Sequence, residues 1–164
     1  MNKGIEIFKT ALTQLGIGLN NTKDTEEMII IQCAYRNNPD GSIRWIWPAN
    51  SRKAEFLRFY YRSGLKSKLF AWSMNVLAKM RLLNLAAHGQ FELKLNTKEN
   101  TSLGECWSFF TGTIGPNRKA ILWHKAEDGS SVFSKIPLSA TSAKNLSVEA
   151  SQLTKLSERK PECI

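Results

Sequence analysis

At 164 residues the chain is long enough for one ordinary domain or two small ones, and with 42% apolar residues it can bury a core. No stretch approaches the roughly eighteen consecutive apolar residues of a membrane-spanning helix, and MNKGIEIFKT lacks the apolar centre of a secretory signal, so the expected compartment is the cytoplasm. The net charge of +9 is concentrated, because residues 43–81 hold nine bases (Arg44, Arg52, Lys53, Arg58, Arg62, Lys66, Lys68, Lys79 and Arg81) against one acid, Glu55.

Along the chain, Ile5, Phe8, Ala11, Leu12 and Leu15 recur at helical spacing over residues 3–17, and Gly16 and Gly18 are natural terminators. A polar loop, LNNTKDTEE, leads into MIIIQCAY, whose β-branched residues predict a buried strand. The turn NNPDG and the strand SIRWIWPA complete a hairpin over residues 28–49. Asn50 or Ser51 can cap a helix carrying Phe56, Leu57, Phe59 and Tyr60, and Gly64 separates it from a longer helix over about 66–86. The apolar face of that second helix is wide, so it is predicted to be buried or docked. Gly89 stops it, and QFELKLN alternates as a strand.

The basic stretch attracts anions: phosphate backbones, anionic lipid headgroups or an acidic partner. It equally fits the solvated face of two helices. Lys66, Lys68, Lys79 and Arg81 around an aromatic-rich apolar face also suit a helix lying in a membrane interface, which would make the chain peripheral to a membrane. Trp45 and Trp47 beside Arg44 offer an aromatic platform for nucleic acid, although the same alternation describes a half-buried strand.

The polar stretch NTKENTSLGE, residues 96–105, divides the composition. From residue 99 onward, seven acids nearly balance eight bases. We therefore expect an N-terminal α+β unit over 1–98 and a second unit over 99–164. In the second, Cys106 to Gly112 reads as a strand, GPN as a tight turn, Lys119 to Lys125 as a returning strand, AEDGS as a hairpin turn and Ser131 to Ile136 as a third strand. Ser139 or Thr141 can cap a final helix with Leu146, Leu153 and Leu156 on one face.

Glu149 shares that face, and a carboxylate there needs a cation. Lys135, in the third strand, is the nearest candidate in sequence. A lysine fixed in a strand by an acid from a helix presents a point charge suited to nucleotide phosphates. The alternative is that Glu149 tilts to solvent and Lys135 snorkels outward.

Strand, glycine turn (TGTIGPN), strand, hairpin, strand with lysine (SVFSKI) and helix with acid: this order over residues 106–160 resembles the N-terminal lobe of the protein-kinase-like fold, particularly its aminoglycoside and choline kinase branch. The resemblance implies an antiparallel meander with one packed helix and contact with ATP. It implies Lys135 on the α and β phosphates, Glu149 holding Lys135, Gly112 and Gly115 shaping the phosphate turn, and Phe133 lining the base pocket. A protein kinase turn has three glycines, and this one has two and Pro116. The family's catalytic base and magnesium ligands belong to a helical lobe that would follow, and the chain ends before one. No HxD or DxG pattern occurs, so no catalytic residue and no metal ligand is assigned. The expected function is the nucleotide-contacting part of such a phosphotransferase, binding ATP weakly and requiring a second lobe for magnesium and for catalysis. The alternative function is a non-catalytic adaptor docking on an anionic surface through residues 43–81.

Cys33, Cys106 and Cys163 have no paired spacing and read as reduced thiols, and His88 and His124 lack neighbouring ligands. No GxSxG, HExxH or GK[ST] phosphate loop is present.

Overall fold

The computed structural model describes residues 3–19, 28–96, 103, 106–126 and 128–158. Among these, three α-helices and a six-stranded antiparallel sheet give an α+β architecture. Helix α1 is Lys3–Gln14; β1, Met28–Asn37, and β2, Ile43–Pro48, form the expected hairpin. A 3-10 turn, Glu55–Phe59, precedes α2, Leu65–Lys79, and a second, Leu83–Ala86, follows it. Strands β3, Gly89–Asn96, β4, Trp107–Phe110, β5, Lys119–Lys125, and β6, Ser131–Pro137, lead to α3, Ala140–Glu158. The strand order is β3-β1-β2-β4-β5-β6.

The sheet has a core on each face. On one face, Phe8, Ala11 and Leu12 of α1 pack on Ile43, Ile46, Leu93, Leu95, Trp107, Phe109, Leu122 and Ile136. Helix α1 can sit this close because Gly4 meets β2 without a side chain; a Cβ there would lie 2.5 Å from Cβ of Ile43. Phe8 is fully buried and stacks on Trp107 with ring centroids 5.3 Å apart. Burying a side chain of that size contributes about 2 kcal/mol. On the other face, Trp45 and Trp47 pack on Phe56, Leu57, Ala71, Met74, Ala78 and Leu83.

One irregularity in β2 lets both cores form. Arg36 pairs with Trp45 while Asn37 pairs with Ile43, so Arg44 is an extra residue, a β-bulge. The bulge turns Ile43 onto the α1 face beside Ile46 and leaves Trp45 and Trp47 on the α2 face. Thr111, fully buried after β4, secures it: its N–H donates to the Arg44 carbonyl at 3.1 Å and its hydroxyl to the Ile43 carbonyl.

The division expected at 98/99 does not divide the core. Trp45 and Ile46 of β2 pair with Phe110 and Phe109 of β4, so the sheet runs from one half of the chain into the other. Most of the polar stretch 96–105 lies outside the described residues, and Leu103 within it is buried in the α1-side core.

Three further expectations are corrected. The strand MIIIQCAY is buried only at Cys33 and Ala34, while Ile29 and Ile30 are exposed, because β2 ends opposite Cys33 and the start of β1 pairs with β3 alone. The long helix stops at Lys79 instead of reaching 86. Arg81 adopts a left-handed backbone (φ 59°), and the Leu82 N–H donates to the Leu77 carbonyl at 2.8 Å, which closes the helix in a Schellman-type cap. The third concerns α3, in which only Ser142 is buried. Leu146 is partly buried, but every residue from Ala150 to Glu158 is exposed, Leu153 and Leu156 included. The helix follows β6, an edge strand, and nothing among the described residues lies beneath its second half.

Candidate functional site

Strand alternation sorts the site residues. Ile136 faces the α1 core, so its neighbour Lys135 and, two residues earlier, Phe133 face the opposite side. Register places Lys135 beside Ile121 and Phe133 beside Trp123. Helix α3 begins immediately after β6. Its first turn is closed by Ser139, whose hydroxyl accepts from the Ser142 N–H at 3.1 Å while the Ser142 hydroxyl accepts from the Ser139 N–H at 3.0 Å. Of the two candidates named from sequence, Ser139 is the cap.

Glu149, two and a half turns further on, reaches Lys135, whose Nζ donates to its Oε1. A second lysine shares the carboxylate: Lys119 Nζ lies 3.7 Å from Oε2 of Glu149. Lys119 was not singled out from the sequence, yet the register reveals it. It lies two residues before Ile121, the partner of Lys135, and so shares its face. The hydrogen bond from Lys135, followed by the charges of Lys135 and Lys119, holds the Glu149 carboxyl below its ordinary 4.5. Two cations around one anion leave a local excess of one positive charge. All three side chains are 38–40% exposed, so the cluster is a solvated surface feature and a weak contributor to stability.

The glycine turn sits against the start of α3. The Ser139 hydroxyl donates to the Pro116 carbonyl at 2.7 Å, Asn145 Nδ2 donates to Asn117 Oδ1 at 2.9 Å, and Arg118 Nε donates to the Thr111 carbonyl at 2.9 Å. Gly112 has φ 81°, and a Cβ there would lie 2.2 Å from the Lys119 carbonyl oxygen. Only glycine lets the two strands meet that closely. Gly115 faces open space. Phe133 is half exposed and meets Phe59 edge to face, with centroids 6.3 Å apart. The structure thus brings Lys135, Glu149 and Lys119 together, places Phe133 on the same strand face, and ties the turn to the helix that carries the acid.

The nine bases of residues 43–81 do not form one patch. Arg58 is committed internally, pairing with buried Glu55 at 2.7 Å and stacking 4.0 Å over Trp123. Arg44 lies 4.3 Å over Trp45, which, with Arg36, Tyr60, Phe70 and His88, lines an open cavity of about 310 Å³. His88 accepts the Asn37 N–H on Nδ1 at 3.0 Å, so its proton sits on Nε2. Arg52, Lys53 and Arg81 line a second cavity of about 700 Å³ with Glu55 and Cys106. Arg62, Lys66, Lys68 and Lys79 are exposed on and before α2.

Cys33 is buried, which pushes its thiol up to about 12 and makes it inert, whereas Cys106 is exposed; Cys163 lies outside the described residues. Among the described residues no group of three His, Cys, Asp or Glu could hold a metal ion, and no helix is long and apolar enough to cross a membrane. No family model, curated protein or solved structure matches the chain.

Proposed function

We propose that residues 107–158 are the nucleotide-contacting part of an aminoglycoside-kinase-like phosphotransferase, with Lys135 on the α and β phosphates of ATP. The observation that carries this reading is the ion pair of Lys135 with Glu149, joined by Lys119 on the same carboxylate. The carboxylate fixes the lysine in direction, and the uncancelled charge favours a polyanion. Phe133, half exposed on the same face, supplies a flat apolar surface to one side of the lysine, as an adenine requires. The turn carrying Gly112 and Gly115 is anchored through Ser139 and Asn145 to the helix that bears Glu149, so turn and acid move together. ATP fits these residues by charge and by ring surface. Magnesium and the catalytic base belong to the helical lobe of such enzymes, and these residues alone hold the nucleotide weakly.

The test is titration of ATP into the 164-residue chain, followed by ³¹P line broadening and by amide shifts of β6 and the glycine turn. Millimolar binding is expected, weakened about tenfold by Lys135→Ala, the loss of one charge-assisted contact. Binding unchanged by Lys135→Ala, or no shift near β6 at tens of millimolar ATP, would overturn the reading.

A further inference from the structure

Helix α2 is apolar on two sides, one packed on the sheet and one turned outward. Its fully buried positions are Ala71, Met74 and Ala78, mostly small, with Phe70 and Leu77 partly buried beside them, while Leu65, Leu69 and Trp72 point away from the protein. Leu65, Leu69, Trp72, Val76 and Met80 succeed one another at intervals of four, three, four and four residues, which is one continuous stripe of a helix. Four of the five are more than 60% exposed, and Trp72 is 65% exposed where the other four tryptophans are at most 3%. Single exposed leucines are ordinary on a protein surface, but a stripe of this length asks for a cover.

The charges around the stripe identify the cover. Lys66, Lys68 and Lys79 project from the same helix, Arg62 and Arg81 stand exposed at its two ends, and no acid occurs anywhere from residue 56 to residue 91. We infer that α2 docks in the plane of an anionic lipid bilayer, its leucine and tryptophan stripe among the acyl chains and its bases at the headgroup phosphates. Fifteen residues are too few to span a bilayer, so the helix lies along the interface. A second copy of the chain is a poorer occupant, because a two-fold contact through this face would set like bases against each other. Nucleic acid would meet the bases but offers no apolar phase for Leu65, Leu69 and Met80.

The exposed tryptophan makes the inference measurable. With vesicles of phosphatidylcholine containing about 30% phosphatidylserine, the chain is expected to co-sediment, with a blue-shifted emission that doxyl-labelled lipid quenches and that Trp72→Phe removes. The double variant Leu69→Glu, Met80→Glu should lose at least tenfold in partitioning while its circular dichroism and thermal transition stay in place, since both side chains are already in water. Replacing Lys66, Lys68 and Lys79 by Gln should cost about fivefold per base. Equal binding to neutral vesicles, or none to anionic ones, would overturn the inference. So would a dimer in sedimentation that Leu69→Glu dissociates, or salt-sensitive binding to DNA without binding to lipid.

Discussion

Lys135 and Glu149 show how little a contact need stabilise in order to matter. The pair is solvated, and exposed ion pairs of this kind contribute little to folding; its value is that it aims a cation. Its pH dependence follows from the sign of the shift. The Glu149 carboxyl is held below its ordinary 4.5 in the folded chain, so the stabilisation is present above that unfolded value and disappears as pH falls through the lower, folded value. A carbon-13 titration of the side-chain carboxyl should give a midpoint below the ordinary glutamate value, moving upward in Lys135→Ala. Lys119, 3.7 Å away, should keep the shift from vanishing altogether. A midpoint unmoved by Lys135→Ala would mean that the lysine does not sense the acid in solution. From sequence, Glu149 and Lys135 were legible because an acid among leucines is conspicuous. Lys119 was not, because a base at a strand end looks like any solvated lysine until the register is known.

At the scale of elements, local patterns carried far. The six strands and three helices fall where periodicity and turn residues place them, but the capped helix expected around Phe56–Tyr60 is only the 3-10 turn Glu55–Phe59, preceded by Ala54 with no side-chain cap. The failures lie where tertiary context decides. Helix α2 looked as though it continued to residue 86 because nothing in KMRLLN resembles a helix stop, and a glycine would ordinarily mark the left-handed position that Arg81 occupies. Arg81→Gly should therefore raise stability by about 1 kcal/mol, by relieving the strain of a Cβ in that region, readable as a higher denaturant midpoint. A lower midpoint would show that the arginine's own contacts outweigh the strain. Helix α3 failed differently: Leu146, Leu153 and Leu156 do share a stripe, but a stripe does not say how far the surface beneath it extends. Nor does a run of isoleucines in β1 reveal that its neighbour stops opposite Cys33.

In the whole molecule, the pairing that matters most joins residues far apart in sequence, Trp45 with Phe110 and Ile46 with Phe109. No local signal encodes it, which is why the composition change near residue 99 read as a boundary. The core on the α1 face collects side chains from Phe8 to Ile136, so neither half has a complete interior. We predict one cooperative thermal transition for the 164-residue chain, and none for residues 99–164 expressed alone, because β4 would lose its β2 partner and the apolar cover supplied by α1. Two separate transitions in calorimetry would contradict this.

The extra residue in β2 sets a rule of parity for the hairpin. Arg44 can be exchanged for another side chain, since what keeps the faces sorted is a backbone that takes up one surplus residue, held by Thr111. Pairing it in plain alternation instead, without the bulge, would straighten the ribbon and swing Ile43 from beneath the first helix over to the tryptophans, emptying one interior and crowding the other. This strand should therefore accept new letters at that position, and a word one letter shorter should still leave Ile43, then directly before Trp45, on the side of the first helix.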